Sequence, residues 1–258
     1  MTGRTERTYP VRVTAQRRWP ADVEVWRVPV PADPAALAPL LGSVDDAERE
    51  RADRYRQFAD RARFLAARAA LRMLLAGRIG AAPHALRFIA GRYGRPALDG
   101  YPDLSFNVSH AGEHALIAIS AGRVVGIDIE RIDPSLDWPP LADLVCTTDE
   151  RRALEEHAPE KQLRGFLLSW TAKEALLKAL GLGITEGLQC IAVDPFVDGI
   201  QQPFAEQDSI AADASRLRFH WIDGIEGYAA CVAYGERHDG VADTEAQVAD
   251  TYTGNPAA

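Results

Sequence analysis

The sequence is poor in cysteine and has no long apolar run. Its three cysteines, Cys146, Cys190 and Cys231, are odd in number and far apart, which excludes a disulfide framework and a CxxC metal half-site. No segment reaches the roughly 20 apolar residues of a membrane span, and the first residues lack the apolar segment of a secretion signal. We therefore expect a cytoplasmic protein that is neither secreted nor inserted into a membrane.

Lysine is scarce as well. Only Lys161, Lys173 and Lys178 occur among the 29 basic residues, and the others are arginine. Residues 1–125 carry 19 arginines against 13 acidic residues, a net +6, whereas residues 126–258 carry a net −14. The overall charge of −8 disfavours a general nucleic-acid binder. The basic half could attract a polyanionic small molecule, or the acidic half could merely keep the protein soluble, and charge alone leaves both open.

Polarity patterns predict one order of elements twice, a long helix followed by short strands. In the first half, the helix runs from Asp45 to Leu75, behind a capping residue at Ser43. A strand at residues 21–30 precedes this helix. Further strands follow it, at residues 86–90, 104–108, 115–120 and 123–130, the last two joined by a turn at 121–122.

The second half repeats this order. Residues 147–150 have the spacing of a capping box, and a longer helix runs from about Glu160 to Leu180 before Gly181. Strands follow at residues 188–193, 217–222 and 228–234. We therefore predict a pseudo-duplicated α+β fold whose halves, 21–125 and 126–235, each pack a long helix on a small, mainly antiparallel sheet. The polar segments 1–20 and 236–258 are expected to be mobile tails.

Two acidic residues in Gly126-Ile127-Asp128-Ile129-Glu130 lie on one side of a predicted strand, because side chains alternate along a strand. Neighbouring carboxylates repel each other, which a strand end exposed to water tolerates. A hard divalent cation is the other remedy, since magnesium binds carboxylate oxygens and completes its octahedron with water and phosphate. The motif alone is compatible with a solvated strand end and with a magnesium site.

A third carboxylate lies in the predicted second helix. Trp170, Glu174 and Lys178 recur every fourth residue and so share one helix face. One interpretation is an ordinary Glu–Lys pair beside a core tryptophan, which stabilises a helix by only about 0.2–0.5 kcal/mol. However, two of the three lysines in this arginine-rich chain, Lys173 and Lys178, fall in this segment. Their placement favours a site that needs compact point charges.

Polar residues also cluster between the predicted strands of the first half. Gly94-Arg95-Pro96 has the composition of a turn, and Ser105-Phe106-Asn107-Val108-Ser109-His110 ends a strand with hydroxyl, amide and imidazole groups. Such strand ends can bind phosphate through side-chain donors and backbone N–H groups. Single arginines and histidines are equally common on solvated surfaces. The arginines of the first helix also alternate with acidic residues as on a solvated face: Arg49, Arg51, Arg54 and Arg63.

Together, these motifs resemble the 4′-phosphopantetheinyl transferases that activate nonribosomal peptide and polyketide synthases. The resemblance rests on the order Gly-Arg-Pro, Phe-Asn-Val-Ser-His, Gly-Ile-Asp-Ile-Glu and Trp-Thr-Ala-Lys-Glu-Ala-Leu-Leu-Lys, and on the 42 residues from Asp128 to Trp170. It covers residues 21–234. It implies transfer of the 4′-phosphopantetheine arm of coenzyme A to a serine of an apo acyl or peptidyl carrier protein, with adenosine 3′,5′-bisphosphate as the second product.

The resemblance also implies roles for individual residues. Asp128, Glu130 and Glu174 would hold Mg²⁺ or Mn²⁺. Glu174 would also accept the serine proton, and Lys178 would stabilise or protonate the leaving oxygen. Arg95 stands where the family often has lysine, which keeps the charge and changes the hydrogen-bond geometry. Contacts with coenzyme A are implied for Arg51, Arg54, Arg95, Ser109, His110, Asp128, Lys173 and Lys178.

The implied partners are coenzyme A and a carrier protein, with no nucleic acid or membrane, and two halves around one cleft make a monomer sufficient. A rival interpretation is another magnesium-dependent phosphotransferase or nucleotide hydrolase, although the sequence has no Gly-x-x-x-x-Gly-Lys-Ser/Thr phosphate loop. A second rival is a catalytically silent module that binds a carrier protein or a nucleotide, which the presence of all three acids disfavours.

Overall fold

The computed structural model describes residues 9–90, 95–182, 187–197, 199, 201–205, 209–237 and 247–248, so the remaining residues of the two predicted tails lie outside it. The helices are α1 (Pro34–Leu37), α2 (Asp46–Asp53), α3 (Phe58–Ile79), α4 (Pro139–Val145), α5 (Thr148–Glu155), α6 (Pro159–Leu180) and α7 (Ser209–Ala214). The strands are β1 (Val11–Val13), β2 (Glu24–Pro29), β3 (Phe88–Ala90), β4 (Pro96–Leu98), β5 (Ser105–Ala111), β6 (His114–Ser120), β7 (Arg123–Arg131), β8 (Ile191–Ala192), β9 (Phe204–Ala205), β10 (Arg218–Trp221), β11 (Tyr228–Glu236) and β12 (Gln247–Val248). Within the described ranges, no helix is long and apolar enough to cross a bilayer.

The first half packs α3 against an antiparallel sheet of strand order β1-β2-β6-β5. One face of α3 is rich in alanine and leucine and is buried on this sheet, with Leu65 and Leu71 fully inaccessible. The helix ends at Gly80, whose φ of 69° lies in the left-handed region that favours glycine. The apolar periodicity of the sequence thus fixes which face of α3 meets the sheet.

The single helix predicted from Asp45 to Leu75 is in fact two helices, and α2 folds back against α3. Asp45 and Glu48 form a capping box, so the N-cap is Asp45 and not Ser43. The buried guanidinium of Arg72 donates to Glu48 at 2.6 Å and also pairs with Asp45. Helical periodicity does not predict the break at residues 54–57, because α2 is held in place by ion pairs between residues far apart in sequence.

The second half packs α6 against an antiparallel sheet of strand order β10-β11-β7. The predicted capping box at α5 is present between Thr147 and Glu150, and α6 ends at Gly181 with a φ of 75°. The strand predicted at 188–193 is a 3₁₀ turn, Leu188–Cys190, followed by the short β8. The α+β prediction of a long helix on a mainly antiparallel sheet in each half is confirmed.

The two sheets pack on each other, and the two long helices cover their outer faces. Apolar residues of both sheets form one buried cluster between them, including Val25, Leu116, Ala118, Ile127 and Val232. The opposite faces of the sheets pack on α3 and on α6. Because each sheet is apolar on both faces, this four-layer arrangement removes more apolar surface from water than either half does alone.

The consecutive strands β6 and β7 belong to different sheets. β6 pairs with β2 and β5, whereas β7 pairs with β11. The turn at 121–122 therefore crosses from one sheet to the other, and the predicted border between residues 125 and 126 falls inside β7. Within the predicted tails, Val11–Val13 pair with β2, Trp19 is buried in the core between the sheets, and Gln247–Val248 pair with β3.

Candidate active site

Strand β7 and helix α6 lie in direct contact, and Gly126 makes this approach possible. A Cβ atom at Gly126 would lie 2.6 Å from the backbone nitrogen of Ala179 and closer still to the carbonyl oxygen of Ala175. The apolar side chains of β7 point into the core between the sheets: Val125, Ile127 and Ile129. Because side chains alternate along a strand, Asp128 and Glu130 lie on the side that faces α6.

Asp128 is only 1% exposed. Its Oδ1 accepts hydrogen bonds from Ser109 Oγ at 2.7 Å and from Lys178 Nζ at 2.6 Å. Its Oδ2 is also buried and has no hydrogen-bond partner among the described residues. Burying a carboxylate oxygen without a hydrogen-bond donor costs free energy, which a bound cation would offset. A cation could bind Oδ2 without displacing a hydrogen bond from the protein.

Trp170, Glu174 and Lys178 share one face of α6, as their spacing predicts. Glu174 Oε1 accepts a hydrogen bond from Trp170 Nε1 at 2.5 Å, and Glu174 Oε2 lies 3.0 Å from Lys178 Nζ. Lys178 therefore bridges Glu174 on its own helix and Asp128 on the strand. The indole N–H of Trp170 fixes the orientation of the Glu174 carboxylate, a role that its place in the helical stripe alone does not reveal.

Burial and mutual repulsion raise the pKa values of two acids in this cluster. Loss of hydration, followed by the charges of Asp128 and Glu174, raises the pKa of Glu130 to about 8. Burial and the charge of Asp128 likewise raise the pKa of Glu174. Burial alone would lower the pKa of Lys178, but Asp128 and Glu174 attract its ammonium and raise it. Three acids therefore lie around the single ammonium of Lys178, and pKa values perturbed in this way are typical of functional sites.

The donor set of this cluster has the chemistry of a magnesium site, because hard cations bind carboxylate oxygens. No three Asp, Glu, His or Cys side chains of the described chain stand in the arrangement of a metal site, and Lys178 links two of the acids instead. The unpartnered Oδ2 of Asp128 and the raised pKa of Glu130 nevertheless fit a divalent cation. Both features show that more positive charge would stabilise the site.

Ser109 and His110 lie near the end of β5, beside the carboxylates. The Ser109 hydroxyl is engaged by Asp128. His110 is exposed, but partial burial of its ring and the positive charges of Arg63 and Lys178 lower its pKa. Its imidazole is therefore neutral near pH 7. β5 thus brings a neutral imidazole within the electrostatic influence of Arg63 on α3 and of Lys178 on α6.

Arg95 joins three elements at the edge of the site. Its Nη1 donates to the carbonyl oxygen of Ala179 at 2.6 Å, and its Nη2 donates to Ser105 Oγ at 2.8 Å and to the carbonyl oxygen of Val125 at 2.9 Å. A phosphate would have to compete with these acceptors, so the coenzyme A contact of Arg95 stays a prediction. Gly94 of the same motif lies outside the described residues.

Arg51 and Arg54 lie at the end of α2. The guanidinium of Arg51 stacks on the ring of Phe64 with 5.1 Å between its carbon and the ring centroid, and Arg54 is the exposed C-cap of the helix. Both residues belong to the first half of the chain, whereas the three carboxylates lie on β7 and α6 of the second half. Their contacts with coenzyme A stay predictions.

Lys173 is separated from the carboxylate face of α6, although it neighbours Glu174 in sequence. Its side chain is fully buried, and its Nζ donates to Val145 O at 2.7 Å and to Glu150 Oε2 at 2.6 Å. Glu150 Oε1 in turn accepts from the backbone nitrogen of Val193 at 2.8 Å. The contact with coenzyme A that the resemblance implies for Lys173 would require this buried ion pair to open.

Ser105 and Asn107, which are not among the predicted coenzyme A or metal contacts, also contribute to the site. Ser105 Oγ accepts from the backbone nitrogen of Val125 at 3.2 Å, and Asn107 Oδ1 accepts from that of Ile127 at 2.9 Å. The alternation of polar residues at 105, 107 and 109 was the available signal. This alternation could be interpreted as support for β7 only once the structure placed β5 next to β7.

Comparison with known proteins gives the family. Residues 124–233 match the 4′-phosphopantetheinyl transferase superfamily, and residues 31–122 match an N-terminal domain of 4′-phosphopantetheinyl transferases. The chain is 34% identical over 168 residues to the 4′-phosphopantetheinyl transferase HetI of Nostoc sp., which covers 64% of this chain and 71% of HetI. It is 27% identical over 206 residues to a 4′-phosphopantetheinyl transferase of Bacillus subtilis, with coverage of 78% and 88%. A phosphopantetheinyl transferase of Thraustochytrium sp. is 31% identical over 188 residues, with coverage of 66% and 65%.

The family matches agree with the architecture. The N-terminal match contains α3 and the sheet strands β5 and β6, and the superfamily match contains α6 and β7 from residue 124 onward. Asp128, Glu174 and Lys178, which meet in the buried cluster, all fall in the superfamily match. The chain therefore belongs to the 4′-phosphopantetheinyl transferase superfamily.

Proposed function

We propose that this protein transfers the 4′-phosphopantetheine arm of coenzyme A to a serine hydroxyl of an apo acyl or peptidyl carrier protein and releases adenosine 3′,5′-bisphosphate. The buried cluster of Asp128, Glu174 and Lys178, with Glu130 on the same side of β7, carries this proposal. Phosphoryl transfer spreads negative charge over phosphate oxygens, so catalysis depends mainly on positioning and charge neutralisation. The carrier serine is the nucleophile, and none is needed from the enzyme.

Three acids would hold Mg²⁺, or Mn²⁺ in its place. Asp128 would contribute its unpartnered Oδ2, and Glu130 and Glu174 would contribute carboxylate oxygens. When bound, the cation would neutralise charge on the pyrophosphate of coenzyme A. The raised pKa of Glu130, about 8, means that this residue carries a proton at neutral pH and would release it as a ligand.

Glu174 is the best-placed group to accept the serine proton. Trp170 and Lys178 hold its two oxygens, and burial raises its pKa, which makes its carboxylate a stronger proton acceptor. Lys178 stays positively charged between the acids. It can therefore stabilise or protonate the oxygen that leaves with the adenosine bisphosphate.

The phosphates of coenzyme A would lie along the basic first half. His110 is neutral and would gain a proton beside a phosphate, and Arg51, Arg54 and Arg95 supply permanent charges. We further propose that one chain acts as a cytoplasmic monomer. Two family matches, one in each half of the chain, support this proposal, and its free cysteines fit a reducing compartment.

Intact-mass measurement of an apo carrier protein, incubated with coenzyme A and magnesium, tests this function. The carrier should gain the mass of one phosphopantetheine arm, and excess chelator should prevent the gain. Asp128→Ala should abolish the transfer, whereas Asp133→Ala, an exposed acid just beyond β7, should not. An unmodified carrier, with phosphate or nucleotide released from coenzyme A, would point to a hydrolase instead.

A further inference from the structure

Strand β7 lies beside strand β5 where the two sheets meet, within reach of the polar side chains of β5. β5 is the last strand of the sheet β1-β2-β6-β5, and β7 is the last strand of the sheet β10-β11-β7. Within the described chain, these two edges do not pair through a backbone ladder. The backbone N–H groups on the edge of β7 therefore need other acceptors, because a buried N–H without a partner costs free energy.

Three alternate residues of β5 meet this need, and we call Ser105, Asn107 and Ser109 the β5 polar row. Ser105 Oγ accepts from Val125 N at 3.2 Å, and Asn107 Oδ1 accepts from Ile127 N at 2.9 Å. Ser109 then donates to Asp128 Oδ1 at 2.7 Å. The polar row thus contacts β7 at three successive places, Val125, Ile127 and Asp128.

The residues between the members of the polar row point the other way. Phe106 and Val108 pack in the core under α3. β5 therefore has one face that stabilises the first half and one that holds the second. This division makes it possible to disturb either face separately.

Asn107 has the central place in the row. It is 4% exposed, and the residue that it holds, Ile127, directly precedes Asp128. Ser105 is also shared with Arg95, which supports the same strand through the carbonyl oxygen of Val125. Asn107 thus supports the backbone next to Asp128. Among the described hydrogen bonds, its side chain does not itself contact the carboxylates or Lys178.

We propose that Asn107 is a positioning residue: its side-chain acceptor fixes β7 so that Asp128 meets Ser109 and Lys178 through Oδ1 and keeps Oδ2 available to a cation. This inference rests on the proposed magnesium-dependent transfer. It assigns the asparagine of the Phe-Asn-Val-Ser-His motif to the alignment of β7 with the rest of the site. It gives Asn107 no part in binding coenzyme A.

The test compares Asn107→Ala and Asn107→Ser with Phe106→Leu, a control on the opposite face of β5. Backbone amide exchange by NMR should show faster exchange of the Ile127 amide in Asn107→Ala and little change there in Phe106→Leu. Because small displacements of a catalytic group cost up to about 100-fold in rate, kcat should fall about 10- to 100-fold in Asn107→Ala. The magnesium concentration for half-maximal rate should rise, the KM for coenzyme A should stay unchanged, and Asn107→Ser should recover part of kcat.

Wild-type kcat and magnesium dependence in folded Asn107→Ala would overturn the inference. So would a loss of rate that merely follows the folded fraction, as in Phe106→Leu. If Asn107→Ala does not fold, the same measurements on Asn107→Ser decide. Two results would overturn the proposed function: a wild-type protein that modifies no carrier, or one that still modifies carriers in excess chelator. An unprotected Ile127 amide in the wild type would instead refute the hydrogen bonds of the polar row.

Discussion

The Nζ atom of Lys178 lies 2.6 Å from Oδ1 of Asp128, and this contact joins helix α6 to strand β7 across 50 residues of chain. The carboxylate is buried, so the pair is only weakly screened by water. Glu174 competes with Asp128 for the same ammonium at 3.0 Å. A change at any one of these three groups must therefore alter the charge balance of the other two.

Glu174→Gln separates the two roles of this residue, metal ligand and proton acceptor. The amide keeps the shape and one oxygen, so the fold and coenzyme A binding should persist. Turnover should fall, because loss of a general base typically costs about 10²- to 10⁴-fold. Single-turnover transfer to a carrier is the measurement. Recovery of the Glu174→Gln rate at high pH would identify mainly a base, and recovery at high metal concentration mainly a ligand.

Trp170→Phe is the matched control for this experiment. It keeps an aromatic ring against Phe166 but removes the N–H that donates to Glu174. We expect a smaller loss of rate than in Glu174→Gln. A wild-type rate in Glu174→Gln under all conditions would show that Glu174 serves only as the structural partner of Lys178.

The raised pKa of Glu130 predicts how stability depends on pH in the absence of metal. Between 4.5, the ordinary value, and about 8, the folded protein holds a proton that the unfolded chain has released. The free energy of unfolding should therefore fall as the pH rises through this window. Below pH 4.5, Glu130 is protonated in both the folded and the unfolded protein, so its full contribution to the free energy of unfolding remains. Urea denaturation at a series of pH values measures this slope.

Glu130→Gln should flatten that slope and raise stability near pH 8, because the amide cannot ionise. Glu155→Gln, at an exposed position of α5, makes the same chemical change and should leave the slope as it is. Magnesium added to the wild type below pH 8 should release a proton, which calorimetry in two buffers of different ionisation enthalpy detects. Equal slopes in the wild type and Glu130→Gln would show that Glu130 is ionised in the folded protein.

Gly126→Ala should separate α6 from β7. The new methyl group would meet the helix backbone at Ala175 and Ala179, which cannot move as a flexible side chain could. Overpacking of this kind costs about 1–3 kcal/mol, and the shift of Glu174 and Lys178 should lower activity further. Thermal unfolding and carrier modification measure the two effects.

Gly77→Ala is the control, since a Cβ at this position of α3 would meet nothing within 4 Å. It should stabilise the protein by about 0.5–1 kcal/mol, because alanine loses less backbone entropy in a helix than glycine does. Full activity and unchanged stability in Gly126→Ala would contradict the close packing of helix and strand.

Lys173→Met should lower stability more than it lowers coenzyme A affinity. The substitution leaves Glu150 buried without its cation, and removal of one partner of a buried ion pair typically costs about 3–5 kcal/mol. Lys173→Met combined with Glu150→Gln should regain part of this loss. Chemical denaturation and calorimetric titration with coenzyme A are the measurements. A selective loss of affinity at full stability would establish the coenzyme A contact that the resemblance implies.

Much of the fold follows from local patterns. The ends of α6, the capping box at Thr147 and the position of most strands are predicted, because caps and side-chain periodicity act over a few residues. The split between α2 and α3 is not, since the buried Arg72 joins groups more than 20 residues apart. The assignment of β6 and β7 to different sheets is likewise a long-range choice.

Local backbone periodicity is enough to place Asp128 and Glu130 on one side of a strand and Trp170, Glu174 and Lys178 on one face of a helix. These relationships depend only on the repeat of the local backbone. The folded arrangement was needed to show that Lys178 bridges two acids, that Lys173 instead pairs with Glu150, and that Asn107 holds β7. Lysine and asparagine side chains can bond to any acceptor or donor within reach, and the packing of distant elements selects which one is there.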